Sequence, residues 1–99
     1  LLANIKMGII VHDQYVWAYG NLTDTYLTLK DSISVLRRHE KDDYIVKTQA
    51  YRMFGYGHSS SNPIEIINVA FVVEKEFLEN PYTMVFNHLK QDLISFENN

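Results

Sequence analysis

Cysteine is absent from this 99-residue chain, and proline and glycine are scarce, with two and four residues. Without cysteine the chain has no disulfide framework, no thiolate zinc site, no iron–sulfur cluster and no cysteine nucleophile. The low proline and glycine content excludes a collagen-like or low-complexity sequence. The fold must therefore be held together by packing alone.

Positive charge is also in short supply. Nine Lys and Arg residues stand against twelve Asp and Glu residues, which gives a formal net charge of −3. This balance disfavours nonspecific binding to duplex nucleic acid or to an anionic membrane. The apolar run at residues 1–11 is interrupted by Lys6, is too short to span a membrane and carries no basic region of a signal peptide. We therefore expect no membrane partner and a cytoplasmic location.

The chain does have the composition of a globular protein. Apolar residues make up 46% of it, charged residues 21% and aromatic residues 13%. A chain of this length buries a modest core on its own. It contains no internal repeat, no charge block and no linker-like segment, so we expect a single domain spanning residues 1–99.

Patterns in the first half of the chain predict two strands, a helix and a third strand. Residues 7–11 and 15–19 are β-prone runs separated by three residues, which is typical of a β-hairpin. Apolar side chains then recur at alternating steps of four and three residues, which predicts a helix. These side chains are Leu22, Tyr26, Leu29, Ile33 and Leu36. Residues 44–54 are rich in β-branched and aromatic side chains and predict a long strand.

In the second half, two signals conflict over residues 64–77. Asn62 and Pro63 resemble the start of a helix, whereas the alternation of apolar residues and the many β-branched side chains favour a strand. We interpret this segment as a strand. The last predicted element is a helix from Asn80-Pro81 to residues 98–99. Its apolar face comprises Tyr82, Val85, Phe86, Leu89, Leu93 and Phe96.

The predicted order of elements is strand, strand, helix, strand, strand, helix. The simplest arrangement is an α+β two-layer sandwich, with a four-stranded antiparallel sheet in ββαββα order and two helices on one face. Profilin-like and longin-like folds and a permuted ferredoxin-like arrangement share this order. Such a likeness concerns the fold alone, because fold does not fix function.

Three aromatic residues alternate along the second predicted strand. Tyr15, Trp17 and Tyr19 share one side, and Val16 and Ala18 share the other. If Val16 and Ala18 lie beneath the helices, the aromatic side chains line up on the open face of the sheet, as in a partner-binding site. The opposite orientation places them in the core, where large aromatic side chains are usually mostly buried.

A second aromatic segment runs through Arg52, Phe54, Gly55, Tyr56 and Gly57. It resembles the aromatic-glycine strand motif of RNA-recognition domains, and residues 17–22 resemble the first strand of that family. The resemblance covers these two short segments, and the family's loop between the second and third strands is missing. It implies a platform of Arg52, Phe54 and Tyr56 on which the bases of single-stranded RNA stack.

No catalytic residue, cofactor motif or metal site can be assigned from the sequence. The four histidines do not lie at metal-ligand spacing from one another, and His88 and Asp92, one helical turn apart, favour an ion pair. His12-Asp13 and His58-Ser59 supply acid–base or nucleophilic chemistry only if the fold brings them together. A small enzyme of unknown reaction is therefore one alternative.

The sequence favours a small, soluble, non-enzymatic protein-interaction domain of the adaptor, viral accessory or inhibitor type. We expect it to bind a protein partner, or a second copy of itself as a homodimer, without a cofactor. The predicted partner-binding residues are Tyr15, Trp17, Tyr19, Arg52, Phe54 and Tyr56. A single-stranded RNA-binding module that uses the same aromatic side chains is the other alternative.

Overall fold

Antiparallel strands dominate the computed structural model, which describes residues 8–57 and 62–98. In chain order the strands are β1 (Gly8–Val11), β2 (Tyr15–Trp17), β3 (Gly20–Leu22), β4 (Thr25–Leu29), β5 (Ser34–Arg37), β6 (Asp43–Met53), β7 (Glu65–Glu74) and β8 (Phe96–Asn98). A short 3-10 helix (Lys75–Phe77) and an α-helix, α1 (Pro81–Lys90), lie between β7 and β8. Strands β2 and β3 form a separate hairpin, and the other six strands form the main sheet.

Strand β6 is the longest strand of the main sheet and pairs with three other strands. β7 pairs along one edge of β6, from Asp43 opposite Glu74 to Arg52 opposite Glu65. β5 and β4 share the other edge, each beside one half of β6. β1 continues the sheet beyond β4, and β8 pairs with β1 at the far side.

Helix α1 covers one face of the main sheet, which we call the covered face; the opposite face is the open face. Side chains alternate between the two faces along each strand. The side chains buried between sheet and helix are Ile9, Val11, Leu27, Val46, Ala50, Val69, Met84, Val85 and Leu89. Burial of one large apolar side chain stabilises the fold by about 1.5–3 kcal/mol, so this layer is the main source of stability.

The predicted start of the last helix is confirmed, and its predicted end is wrong. The side chain of Asn80 accepts hydrogen bonds from the backbone N–H groups of Tyr82 (2.9 Å) and Thr83 (3.4 Å), which caps α1. The helix ends at Lys90, and residues 96–98 form β8. Phe96 lies opposite Val11 and packs against the core from a strand.

The helix predicted from Leu22 to Leu36 is also wrong, because this segment contains the end of β3, then β4 and β5. The predicted apolar stripe is divided between the two faces of the sheet, with Leu29 on the covered face and Leu36 on the open face. Leu27 lies off that stripe but is fully buried, since β4 is flanked by β1 and β6. β-branched and aromatic residues in this segment pack well on a pleated surface, and the tertiary pairing outweighs the local helical spacing.

The predicted hairpin between residues 7–11 and 15–19 is wrong as well. β1 pairs with β4 and β8, and the partner of β2 is β3. In the sheet, Ile9 of β1 gains Leu27 as its cross-strand neighbour, an apolar contact that stabilises this pairing. The expected α+β sandwich of four strands and two helices is therefore replaced, in the described residues, by a mainly β fold with one α-helix.

All four predicted strands are found, although the first two do not pair with each other: β1 lies within residues 7–11 and β2 within residues 15–19. The segment predicted from residue 44 to 54 is β6, and residues 64–77 contain β7. In β7 the less exposed side chains alternate with exposed ones, which is the burial pattern of a strand with one covered face. The alternation of apolar residues was thus the better guide than the Asn62-Pro63 cap.

Candidate functional site

The β2–β3 hairpin carries the aromatic residues of the first predicted motif. Trp17 lies opposite Gly20, so a two-residue turn, Ala18-Tyr19, joins the strands. Gly20 has a φ of 131°, a conformation that glycine adopts without the steric cost of a side chain. The turn places Tyr19 at the tip of the hairpin.

Edge-to-face ring contacts connect the hairpin to the end of β6. The centroid of the Trp17 ring system lies 5.0 Å from that of Tyr19 and 5.2 Å from that of Phe54, with interplanar angles of 73° and 79°. Aromatic rings favour this geometry because the positive edge of one ring meets the negative face of the other. Phe54 follows β6 directly, so Trp17 docks the hairpin against the end of the main sheet.

Arg52 supports the same contact from β6. Its guanidinium carbon lies 4.3 Å from the centroid of the Tyr15 ring. Its Nε donates to Oε1 of Glu65 (2.9 Å), and its Nη1 donates to Oγ1 of Thr25 (2.8 Å). The Arg52 side chain is 12% exposed, so it anchors the hairpin and presents little positive charge to solvent.

The structure therefore assembles five of the six predicted partner-binding residues into one group. We call Tyr15, Trp17, Tyr19, Arg52 and Phe54 the aromatic cluster. The sixth residue, Tyr56, forms a second ring pair with Tyr26, at a centroid distance of 5.2 Å and an angle of 71°. Its side chain is exposed.

The exposed surface of the aromatic cluster differs from the predicted stripe. Tyr19 is 85% exposed and Phe54 is 40% exposed, whereas Tyr15 and Trp17 are half-buried. Val16 is 71% exposed and Ala18 is exposed too, so neither of the two orientations considered for this strand, beneath helices or with the aromatic side chains fully in the core, is found. Since β2 pairs with β3 and not with the main sheet, its aromatic side packs against the end of β6.

The hairpin offers no charge to a ligand. Residues 14–23 contain neither an acidic nor a basic side chain. The surface at the hairpin tip is therefore aromatic and apolar. Such a surface suits an apolar or aromatic segment of a protein better than a phosphate backbone, which is bound by Lys and Arg.

A second group of side chains, centred on His12, was not foreseen from the sequence. The imidazole Nδ1 lies 2.6 Å from Oδ1 of Asp24, and Nε2 lies 2.8 Å from Oε2 of Glu97. Because carboxylates accept hydrogen bonds, both ring nitrogens donate when the imidazole is protonated. The hydrogen bond to Asp24, and next the one to Glu97, raise the pKa of His12 above its ordinary value.

The neighbouring Asp13 fastens the same part of the chain. Its carboxylate accepts hydrogen bonds from the backbone N–H groups of Ile94 (2.8 Å) and Ser95 (2.9 Å). The backbone N–H of His12 donates to the carbonyl oxygen of Ser95 (2.8 Å). His12 and Asp13 thus hold the segment that leads into β8. Their partners lie far away in sequence, so no local spacing could have revealed this arrangement.

Two further histidine hypotheses concerned His88 with Asp92 and His58 with Ser59. Asp92 lies beyond the end of α1 at Lys90, so the expected helical spacing of His88 and Asp92 is not found. His88 stacks on Phe71 at a centroid distance of 4.6 Å and an angle of 19°. The His58-Ser59 pair lies outside the described residues. Within residues 8–57 and 62–98, no three His, Asp or Glu side chains form a group that could hold a metal ion. In the same two ranges, no helix has the length and apolar character that crossing a membrane requires.

Comparison of the chain with protein-family models, with curated proteins and with solved structures gave no match.

Proposed function

We propose that this protein is a non-enzymatic interaction domain that binds a segment of a partner protein on the aromatic cluster. The observation that carries this proposal is the position of Tyr19. Its ring is almost fully exposed at the hairpin tip and is held by the ring of Trp17, which in turn contacts Phe54. Tyr and Trp are enriched among the residues that dominate binding energy at protein interfaces.

The ring contacts support this proposal because they order the surface before a partner arrives. Binding costs less free energy when the contact side chains are already immobilised. Trp17 is fixed between Tyr19 and Phe54, and Tyr15 lies against the guanidinium of Arg52. A partner would therefore meet a surface whose rings need little further ordering.

The distribution of charge favours a protein partner over single-stranded RNA. RNA-binding surfaces combine stacking aromatic rings with Lys or Arg side chains along the phosphate backbone. Here the hairpin carries no basic residue, and the charge of Arg52 is engaged with Glu65. RNA binding is retained as an outcome that the experiment below distinguishes.

The His12 group favours a structural role over catalysis. A general base needs a nitrogen lone pair within reach of a substrate proton. Both ring nitrogens of His12 lie within hydrogen-bond distance of carboxylates of the same chain. This arrangement supports the non-enzymatic part of the proposal.

Selection from a displayed library of random peptides tests the proposed function. The purified wild-type protein is the only bait, and the affinity of each selected peptide is then measured for the wild type and for the Tyr19→Ala variant. We expect peptides that bind the wild type and lose affinity at least about 30-fold on Tyr19→Ala, the scale of an interface hot spot. Tyr82→Ala is the matched control, since Tyr82 is an exposed tyrosine on α1.

Two results would contradict the proposal. One is a set of selected peptides that bind wild type and Tyr19→Ala equally well. The other is micromolar binding of a labelled single-stranded RNA that weakens steeply as salt rises and is lost in Phe54→Ala, which would assign the aromatic cluster to RNA.

A further inference from the structure

One edge of the main sheet is left open by the topology. In the part of the chain that the structure describes, β7 pairs with β6 and with no other strand. β7 is ten residues long. An open edge of this length presents a row of backbone N–H and C=O groups that another strand can use.

The hydrogen-bond pattern identifies which backbone groups face outward. The N–H of Lys75 donates to the carbonyl of Asp42, and the N–H of Arg38 donates to the carbonyl of Asp43. Because backbone bonds alternate along a strand, even-numbered residues of β6 bond to β7 and odd-numbered ones bond to β5. In β7 the odd-numbered residues therefore bond inward. The outward groups belong to Ile66, Asn68, Ala70 and Val72.

This edge lacks the usual protection against pairing. Sheet edges are commonly guarded by Lys, by proline, by a bulge or by short length. Residues 66–73 of β7 contain no charged residue and no proline, and their pairing with β6 is continuous. Ile66 and Val72 are exposed on the open face, at 54% and 52%.

We propose that β7 pairs antiparallel with β7 of a second copy of this chain, with Ile66 opposite Val72 and Asn68 opposite Ala70. Both pairs occur twice about a two-fold axis near Val69, because the contact is isologous. All four outward-facing residues then exchange backbone hydrogen bonds with the other copy. The two main sheets join into one continuous sheet.

The sequence selects this register over its neighbours. A shift that sets Ala70 opposite Ala70 would place Ile66 opposite Glu74. A shift that sets Asn68 opposite Asn68 would need the N–H of Ile64, which already donates to the carbonyl of Arg52 (2.8 Å). A shift by one residue is excluded. It would set the outward-facing residues of one copy opposite residues of the other copy whose backbone groups are already bonded to β6.

Apolar side chains on the open face and charges at the two ends of β7 fit a second copy. Leu36, Ile45 and Val72 form one row across β5, β6 and β7, and Leu36 is 58% exposed. Pairing would extend this row with Ile66 of the other copy, so that apolar residues meet apolar residues on both sides of the axis. Glu65 keeps its bond to Arg52. It would also lie diagonal to Lys75 of the other copy, and the attraction between these opposite charges would stabilise the proposed pairing of the two β7 strands.

This interface shares no residue with the aromatic cluster, so it can be tested separately from the proposed function. Light scattering or sedimentation of the wild type at about 100 μM should give a dimer, if the dissociation constant is micromolar or lower. Val72→Lys should weaken dimerisation at least about 30-fold. Val16→Lys, an exposed valine exchanged on the separate hairpin, should leave the dimer intact.

Ala70→Pro provides a second variant in case Val72→Lys fails to fold. The N–H of Ala70 faces outward, so proline removes a bond to the other copy and none within the chain. A wild type that stays monomeric at about 100 μM would overturn the proposal. A folded Ala70→Pro protein that still forms the dimer would also overturn it.

Engineered cysteines test the register, because the chain has no cysteine of its own. Asn68→Cys and Ala70→Cys proteins are mixed and oxidised. The proposed register predicts disulfide-linked dimers that contain one of each, since directly opposite residues lie at disulfide distance. Efficient cross-linking of Ala70→Cys alone, or no cross-linking in the mixture, would contradict the register.

Discussion

The covered face of the main sheet and the β2–β3 hairpin contain similar residues, but these residues form a buried core in the first region and an exposed surface in the second. Both contain large apolar side chains at alternating strand positions. On the covered face these side chains are buried in the core, as Leu27 and Val46 are. On the hairpin no helix covers them, and Tyr19 remains exposed on the ring of Trp17. Alternation therefore identifies a strand, but the pairing partner decides whether its apolar side is core or surface.

The comparison implies that substitutions in the two regions have different consequences. Truncation of a covered-face residue creates a cavity and costs stability. Truncation at the hairpin tip leaves no cavity and costs binding.

Leu27→Ala should give the largest loss of stability, about 2–5 kcal/mol, because Leu27 is fully buried between β1, β6 and α1. Leu36→Ala should cost less than about 0.5 kcal/mol, because Leu36 is exposed. Urea unfolding of both variants measures the difference. Equal losses would contradict the strand assignment, since a helix would bury Leu36 and expose Leu27.

Gly8→Ala should destabilise the protein by about 1–3 kcal/mol through overpacking. A Cβ atom at Gly8 would overlap the ring of Tyr26, which lies across the backbone of β1. Thermal unfolding of Gly8→Ala, of Tyr26→Leu and of the double variant measures the coupling of the two sites. We expect the double variant to lose less stability than the sum of the losses in the two single variants.

Trp17→Ala should cost about 1–2 kcal/mol of folding stability, because it removes two edge-to-face ring pairs but only a half-buried side chain. Val16→Ala is the control on the same strand and should change stability little, since Val16 is exposed. Urea unfolding followed by far-UV circular dichroism measures both. A loss as large as that of Leu27→Ala would show that Trp17 belongs to the core.

The His12 group should make stability depend on pH. Since folding raises the pKa of His12, its stabilising contribution is complete below the ordinary imidazole pKa of about 6.5 and is lost as pH rises through the folded-state value. The unfolding midpoint of the wild type should therefore fall over this range relative to His12→Gln. A titration of the His12 ring by NMR provides the direct check. An unshifted pKa would contradict the double hydrogen bond.

The elements that the sequence predicted well are those with a strong local signal. β6 and β7 are rich in β-branched and aromatic residues, and the start of α1 has the Asn80-Pro81 cap. The segment at residues 22–36 was misinterpreted because Leu22, Tyr26 and Leu29 happen to lie at helical spacing. The pairing of β4 with β1 and β6 depends on residues distant in sequence, which a local pattern does not contain.

The candidate site was predicted in part for a similar reason. Strand alternation identified Trp17 as a surface candidate, and the resemblance to an aromatic-glycine motif identified Phe54. Their 5.2 Å ring contact joins two segments more than thirty positions apart in the sequence. The role of Arg52 was not foreseen, because its partners Glu65 and Thr25 lie on other strands. The two carboxylates around His12 were missed for the same reason.

The fluorescence of Trp17 reports directly whether a partner binds on the aromatic cluster. Trp17 is the chain's only tryptophan and is half-buried between Tyr19 and Phe54. Acrylamide quenching of the wild type is measured before and after saturation with a selected peptide that lacks tryptophan. We expect measurable quenching in the free protein and a several-fold fall in quenching when the peptide is bound. Unchanged quenching with the peptide bound would show that the binding surface lies away from the aromatic cluster.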